Sequence, residues 1–233
     1  MLAIYKREIK TYFKSPIGYV FLAVLYFFGG YFFSAVLNSR TAQIEYVFQS
    51  LFTIILTVIP VLTMRLMSED KKLKTDQLLL TAPIKLSGIV IGKYLAALTM
   101  FLIGISSTIV YSLILAAYTK INWNIFLGNF VALLLLGAAL IAIALFISSL
   151  TENQVVAAIG SFAIMMFISL FDMIAQVIPV KFISTIFVNL SFFSKYTDLT
   201  SGIINIAHIL FFVSFIVVFN FLTIRILERK RWN

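Results

Sequence analysis

Six runs of apolar residues divide the chain: Ile17 to Leu37, Val47 to Met64, Tyr94 to Ala117, Ile125 to Leu150, Val155 to Ile178 and Ile206 to Ile226. A hydrocarbon core about 30 Å thick is crossed by about 20 residues of helix, so each run is long enough to span it. The runs are continuously apolar. A membrane barrel would need segments of about ten residues with lipid-facing and lumen-facing positions alternating, and that pattern is absent. The expected fold is an all-α membrane protein of six transmembrane helices, one domain over residues 1–233 with spans at 17–37, 47–64, 94–117, 125–150, 155–178 and 206–226.

The segments between the runs carry their own patterns. In residues 1–15, Ile4, Tyr5, Ile9, Tyr12 and Phe13 gather on one helical face while Lys6, Lys10 and Lys14 recur every four residues on another. This predicts an amphipathic interfacial helix with its lysines towards anionic lipid, a plain basic flank being the alternative. Ser15-Pro16 separates it from the first span. That first run is too long for a signal-peptide core and is expected to stay as a helix. The connection 179–205 mixes Phe182, Ile183, Ile186, Phe187, Leu190, Phe192 and Phe193 with Ser, Thr, Lys and Asn. It predicts a shallow re-entrant hairpin on the outer side, or a helix lying flat there.

Composition agrees with lipid as the main solvent: 62% of residues are hydrophobic, 12% are charged, and mean hydropathy is +1.07. The net charge of +9 is best sorted by side of the membrane. Lys6, Arg7, Lys10, Lys14, Arg65, Lys71, Lys72, Lys74, Lys85, Lys93, Arg225, Arg229, Lys230 and Arg231 fall on one side, against Arg40, Lys120, Lys181 and Lys195 on the other. The bias predicts both termini in the cytoplasm, the membrane being expected to be a bacterial inner membrane, and no groove-reading motif points to nucleic acid.

Candidate chemistry is sparse. With no cysteine and one histidine, disulfides and thiolate metal sites are excluded and a histidine-built metal site is disfavoured. The stretch Gly88-Ile89-Val90-Ile91-Gly92-Lys93-Tyr94 has one residue too few between its glycines for a phosphate loop, and Tyr where Ser or Thr is needed. Gly88, Gly92 and Ala96 recur every four residues and predict instead the close approach of another helix. No cofactor site and no catalytic role are expected in this chain. Intramembrane ionisable residues mark functional sites by default, which makes Asp172 a candidate for a substrate path, with His208 a weaker one; Pro60, expected to kink span two, is the other candidate placed on that path. The scarcity of buried charges argues against a self-contained ion-coupled carrier.

The longest polar connection, residues 65–93, interleaves Glu69, Asp70, Lys71 and Lys72 ahead of a capping Thr75, Asp76 in a first turn, and Leu78 to Leu80, with Pro83 beyond. This predicts a short cytoplasmic helix whose leucines need a cover. A partner groove fits, its rim read by the flanking charges.

Met64-Arg65-Leu66-Met67-Ser68-Glu69-Asp70-Lys71-Lys72, Thr75, Leu78-Leu79 and Ala82-Pro83 resemble the first cytoplasmic loop of type-2 ABC transporter permeases, with Lys74 where that loop usually has Gly and Gln77 where it has Glu. The basic, tryptophan-bearing ending Leu227 to Trp232 is similar to the gliding-motility and nitrous-oxide-accessory branch. The resemblance covers essentially the whole chain. It implies a permease subunit, an exporter by expectation, that pairs with a second permease subunit and is driven by separate cytosolic ATPase subunits holding ATP and Mg. These would dock on Glu69, Asp70, Lys71, Lys72, Thr75, Asp76, Leu78 and Leu79. A membrane scaffold or insertase component recruiting a cytosolic partner is the alternative.

Overall fold

The computed structural model describes residues 1–39, 43–75, 85–119, 122–178, 180–201 and 205–232. Among these, every regular element is a helix, and six helical stretches are long and apolar enough to cross a membrane. The elements are α1 (Leu2–Lys14), α2 (Pro16–Asn38), α3 (Glu45–Thr63), α4 (Arg65–Lys72), α5 (Leu86–Ile105), α6 (Ser107–Tyr118), α7 (Trp123–Leu150), α8 (Gln154–Ser169), α9 (Phe171–Val177), α10 (Lys181–Leu190), α11 (Phe192–Thr200) and α12 (Ile206–Trp232).

Local chemistry sets several of the boundaries. The Ser15 hydroxyl accepts from the Ile17 amide at 3.3 Å, and Pro16 fills the first position of α2, where a missing N–H is harmless. Asn122 and Asn153 cap α7 and α8 in the same way, accepting from Asn124 and Val155 at 3.1 and 2.9 Å.

Spans three and five depart from their expected limits. Span three begins at Leu86 rather than Tyr94, because Lys93, which ends the apolar run, is taken inside the protein and paired there. It is also divided at Ser106. Span five is divided at Leu170, so the expected run to Ile178 becomes α8 followed by the short α9.

α7 is the central post. Its Ala132, Leu133, Leu136, Ala139, Leu140, Ile141, Ala144 and Leu145 are fully enclosed, and α3, α4, α5, α8, α11 and α12 all pack on it. Lipid removes the hydrophobic drive between apolar helices, so close contact between small and large side chains must hold the bundle together. At Gly137 a β-carbon would lie 2.2 Å from the Phe101 ring of α5, which therefore occupies the space a side chain would take. By contrast, Val155, Ile159, Phe167 on α8 and Leu210, Val217 on α12 face outward, as surfaces meant for lipid or another subunit do.

The bundle has two distinct ends. At one lie α1, α4, the start of α5 and the finish of α7; this is the elbow end. The far end is closed by α11, whose buried Tyr196 hydroxyl donates to the Phe48 carbonyl at 2.7 Å, while Asn129 of α7 donates to the Thr200 carbonyl at 3.1 Å. Phe192 wedges against Phe211, Phe212 and Phe215 of α12. The connection before span six is thus two short helices, the second fixed into the body of the bundle.

Candidate functional site

α4 follows α3 after a single residue, Met64, and turns the chain across the elbow end. Its inner face, Arg65, Leu66, Met67 and Ser68, is buried. The Ser148 hydroxyl, near the end of α7, accepts from the amides of Met67 and Ser68, each at 3.2 Å, and donates to the Met64 carbonyl at 3.0 Å. Lys71 donates to the neighbouring Ser149 carbonyl. The first amides of α4, which have no intrahelical acceptor, are satisfied by a serine from the central post.

α1 lies against the same elbow. Its buried face is Ile4, Glu8 and Tyr12, four residues apart, whereas Phe13, expected on that face, is exposed. The small positions Gly88 and Gly92 do admit a close neighbour, and that neighbour is α1: a β-carbon on Gly92 would meet the Met1 carbonyl oxygen at 3.2 Å and Ile4 at 3.4 Å. Tyr12 donates its hydroxyl to the Leu62 carbonyl at 2.9 Å, and the Arg65 guanidinium sits 5.7 Å above its ring. Burial, and then the nearby Glu8 carboxylate, push the Tyr12 hydroxyl far above its ordinary value, so it remains a neutral donor.

Between α1, α4 and α5 the structure assembles four charges. Lys93 Nζ lies 3.0 Å from Glu8 Oε1 and 2.6 Å from Asp70 Oδ2, and also donates to the Leu66 carbonyl. Arg7 bridges the same acids, at 2.6 Å to Glu8 and 3.1 Å to Asp70. Burial alone would lower the Arg7 guanidinium, but the hydrogen bond and charge of Glu8 and the charge of Asp70 outweigh it and hold it above its ordinary value. Thr75 adds a hydroxyl to Asp70 Oδ1 at 2.9 Å. Two cations face two anions, with Lys93 only 2% and Glu8 8% exposed. An ionised lysine survives such burial only when paired this closely.

The candidates for partner docking therefore divide. Asp70 and Thr75 point inward to the cluster, and Lys71 is tied to α7. Glu69 pairs with Arg65 at 3.1 Å yet keeps 36% of its side chain exposed, and Lys72 and Leu73 stand outward. Asp76, Leu78 and Leu79 lie outside the described residues. Lys74 closes α4 with φ of 55°, its amide donating to the Lys71 carbonyl at 3.1 Å. That left-handed turn favours glycine, the residue the resembling loops carry there.

Of the two candidates for a substrate path, Pro60 lies buried within α3 one turn before the elbow, where the Met64 amide still reaches its carbonyl at 2.9 Å. Asp172 lies at the far end in α9 and accepts a hydrogen bond from the Ser191 hydroxyl, so the structure gives it a partner in the α10–α11 turn. His208 lies 3.7 Å from Asp198 at that end. Pro60 and Asp172 are not brought together. Glu8 and Lys93 are the residues that sequence reasoning missed, although the spacing of Ile4, Glu8 and Tyr12 held the signal.

The family profile of ABC-2 family transporter proteins matches residues 2–232. The chain belongs to that family. It is accordingly a multi-pass membrane protein and a permease subunit of an ABC transporter, in a family whose members are transmembrane components rather than the ATPases themselves. Comparison with curated proteins gives no match.

Proposed function

We propose that this permease subunit exports an apolar or amphipathic substrate, pairing with a second permease subunit and driven by separate cytosolic ATPase subunits that hold ATP and Mg. Both termini and the elbow lie in the cytoplasm of a bacterial inner membrane, on the side carrying most of the basic residues. The ATPase grips the outward edge of α4, Glu69, Lys72 and Leu73, together with the leucines at 78 and 79 that follow.

The observation that carries this reading is the division of α4 into an exposed edge and a locked inner face. A push on the edge acts on Asp70, and through it on Lys93 of α5 and Arg7 of α1. It acts at the same time on α7 through Ser148 and Ser149. Spans two, three and four and the interfacial helix then respond as one body, with Pro60 a turn away as the weak point of span two.

Co-purification with the cognate ATPase tests this. Lys72→Glu and Leu79→Asp are expected to reduce association and permease-stimulated ATP turnover about tenfold each while the thermal stability of the permease alone is unchanged. Unaltered association in both variants contradicts the assigned contact.

A further inference from the structure

One group of charges at the elbow end plays no part in the cluster. A cavity of about 540 Å³ opens between the start of α5 and the last turns of α12, lined by Lys85, Leu86, Ser87, Ile224, Glu228 and Arg231. Its wall is divided in character. Lys85 and Arg231 supply cations and Ser87 a hydroxyl, while Leu86 and Ile224 are apolar. Glu228 is the one acid among the described lining residues, and its Oε2 is taken by Arg225 Nη1 at 2.8 Å. The local balance of Lys85, Arg225 and Arg231 against Glu228 is positive. The first amides of α5, a helix of 20 residues, add to that field.

Both walls continue directly into membrane spans, which places the cavity where headgroups meet acyl chains. A free anion would satisfy the cations and leave Leu86 and Ile224 uncovered. A zwitterionic headgroup would bring an ammonium against Lys85 and Arg231. An amphiphile with a net negative phosphate headgroup matches both halves of the wall.

We propose that this cavity binds the headgroup of an anionic phospholipid, with Lys85 and Arg231 on the phosphate, Ser87 donating to it, and Leu86 and Ile224 against the glycerol and upper acyl chain. The bound lipid joins the entrance of span three, eight residues ahead of Lys93 in sequence, to the end of span six. It therefore steadies the helix that carries the cluster's buried cation. The inference rests on the membrane-spanning fold and holds whichever side the elbow faces. It needs no ATPase, so its failure is distinguishable from failure of the docking reading.

The test uses the purified permease alone in detergent, its melting followed while dioleoyl phosphatidylglycerol or dioleoyl phosphatidylcholine is titrated in, with retained lipid read by native mass spectrometry. Phosphatidylglycerol is expected to stabilise at much lower concentration and to be retained. Lys85→Gln with Arg231→Gln is expected to weaken that preference roughly thirty-fold, the weight of two basic side chains at an anionic surface. The charge-preserving pair Lys85→Arg with Arg231→Lys keeps the preference. Equal stabilisation by the two lipids overturns the proposal, as does a preference that survives in Lys85→Gln with Arg231→Gln. Stabilisation by soluble glycerol 1-phosphate at the same concentration would assign the cavity to a free anion and also overturn it.

Discussion

Lys93, near the entrance of span three, and Asp70, on the helix that follows span two, form an ion pair of 2.6 Å from which the ammonium is almost wholly shielded. Twenty-three residues apart in sequence, they fix the elbow to the membrane body, and Glu8 and Arg7 extend the pair to the interfacial helix. Removing one partner of a buried pair strands the other. Lys93→Met leaves the Glu8 and Asp70 carboxylates with the half-exposed Arg7 as their shared counter-ion and is expected to destabilise the permease by about 3–5 kcal/mol. Glu8→Gln with Lys93→Gln should cost less than the sum of the two singles by about 0.5–3 kcal/mol, measured as a double-mutant cycle on thermal unfolding. Additive losses would show that the two residues do not interact.

Ser148 serves two amides and one carbonyl of the elbow at once. Ser148→Ala leaves the Met67 and Ser68 amides buried without that partner, at about 1–3 kcal/mol, while the Met64 carbonyl keeps the Ser68 hydroxyl. Hydrogen exchange at Met67 and Ser68 is expected to accelerate by roughly tenfold or more, with the far end unaffected, because the lost contacts are confined to α4.

Gly137 and Phe101 share one volume. Gly137→Ala must displace the ring, and a destabilisation of about 1–3 kcal/mol is expected. Phe101→Leu in the same chain should recover part of that loss on a thermal-shift measurement, which a general weakening of α7 would not allow.

Lys74 occupies a left-handed turn that costs a side-chain-bearing residue roughly 1–2 kcal/mol. Lys74→Gly is therefore expected to raise the melting temperature or leave it unchanged, and Lys74→Val to lower it.

The spans were legible because lipid imposes a simple demand, about 20 apolar residues in a row, and the chain meets it six times. The elbow was legible only in part. Its alternating charges marked a special surface, but a sequence pattern does not say which charges face a partner and which face the fold. Asp70 turned inward because Lys93 and Arg7 were waiting for it. Lys93 read as an ordinary topological charge, since its burial depends on acids contributed by two other helices. Glu8 sat unremarked in a basic segment, although its spacing with Ile4 and Tyr12 places it on the buried face. Span three began earlier than its apolar run for the same reason: a paired lysine no longer ends a helix.

The central claim is that the exposed edge of α4 faces the cytosol, where an ATPase can reach it. The chain contains no cysteine, so a single cysteine replacing Lys72 or Leu73 reports its own accessibility without background. A membrane-impermeant maleimide is expected to leave both positions unlabelled in intact cells and to label them once the inner membrane is opened. Labelling of either position from outside intact cells would contradict the account.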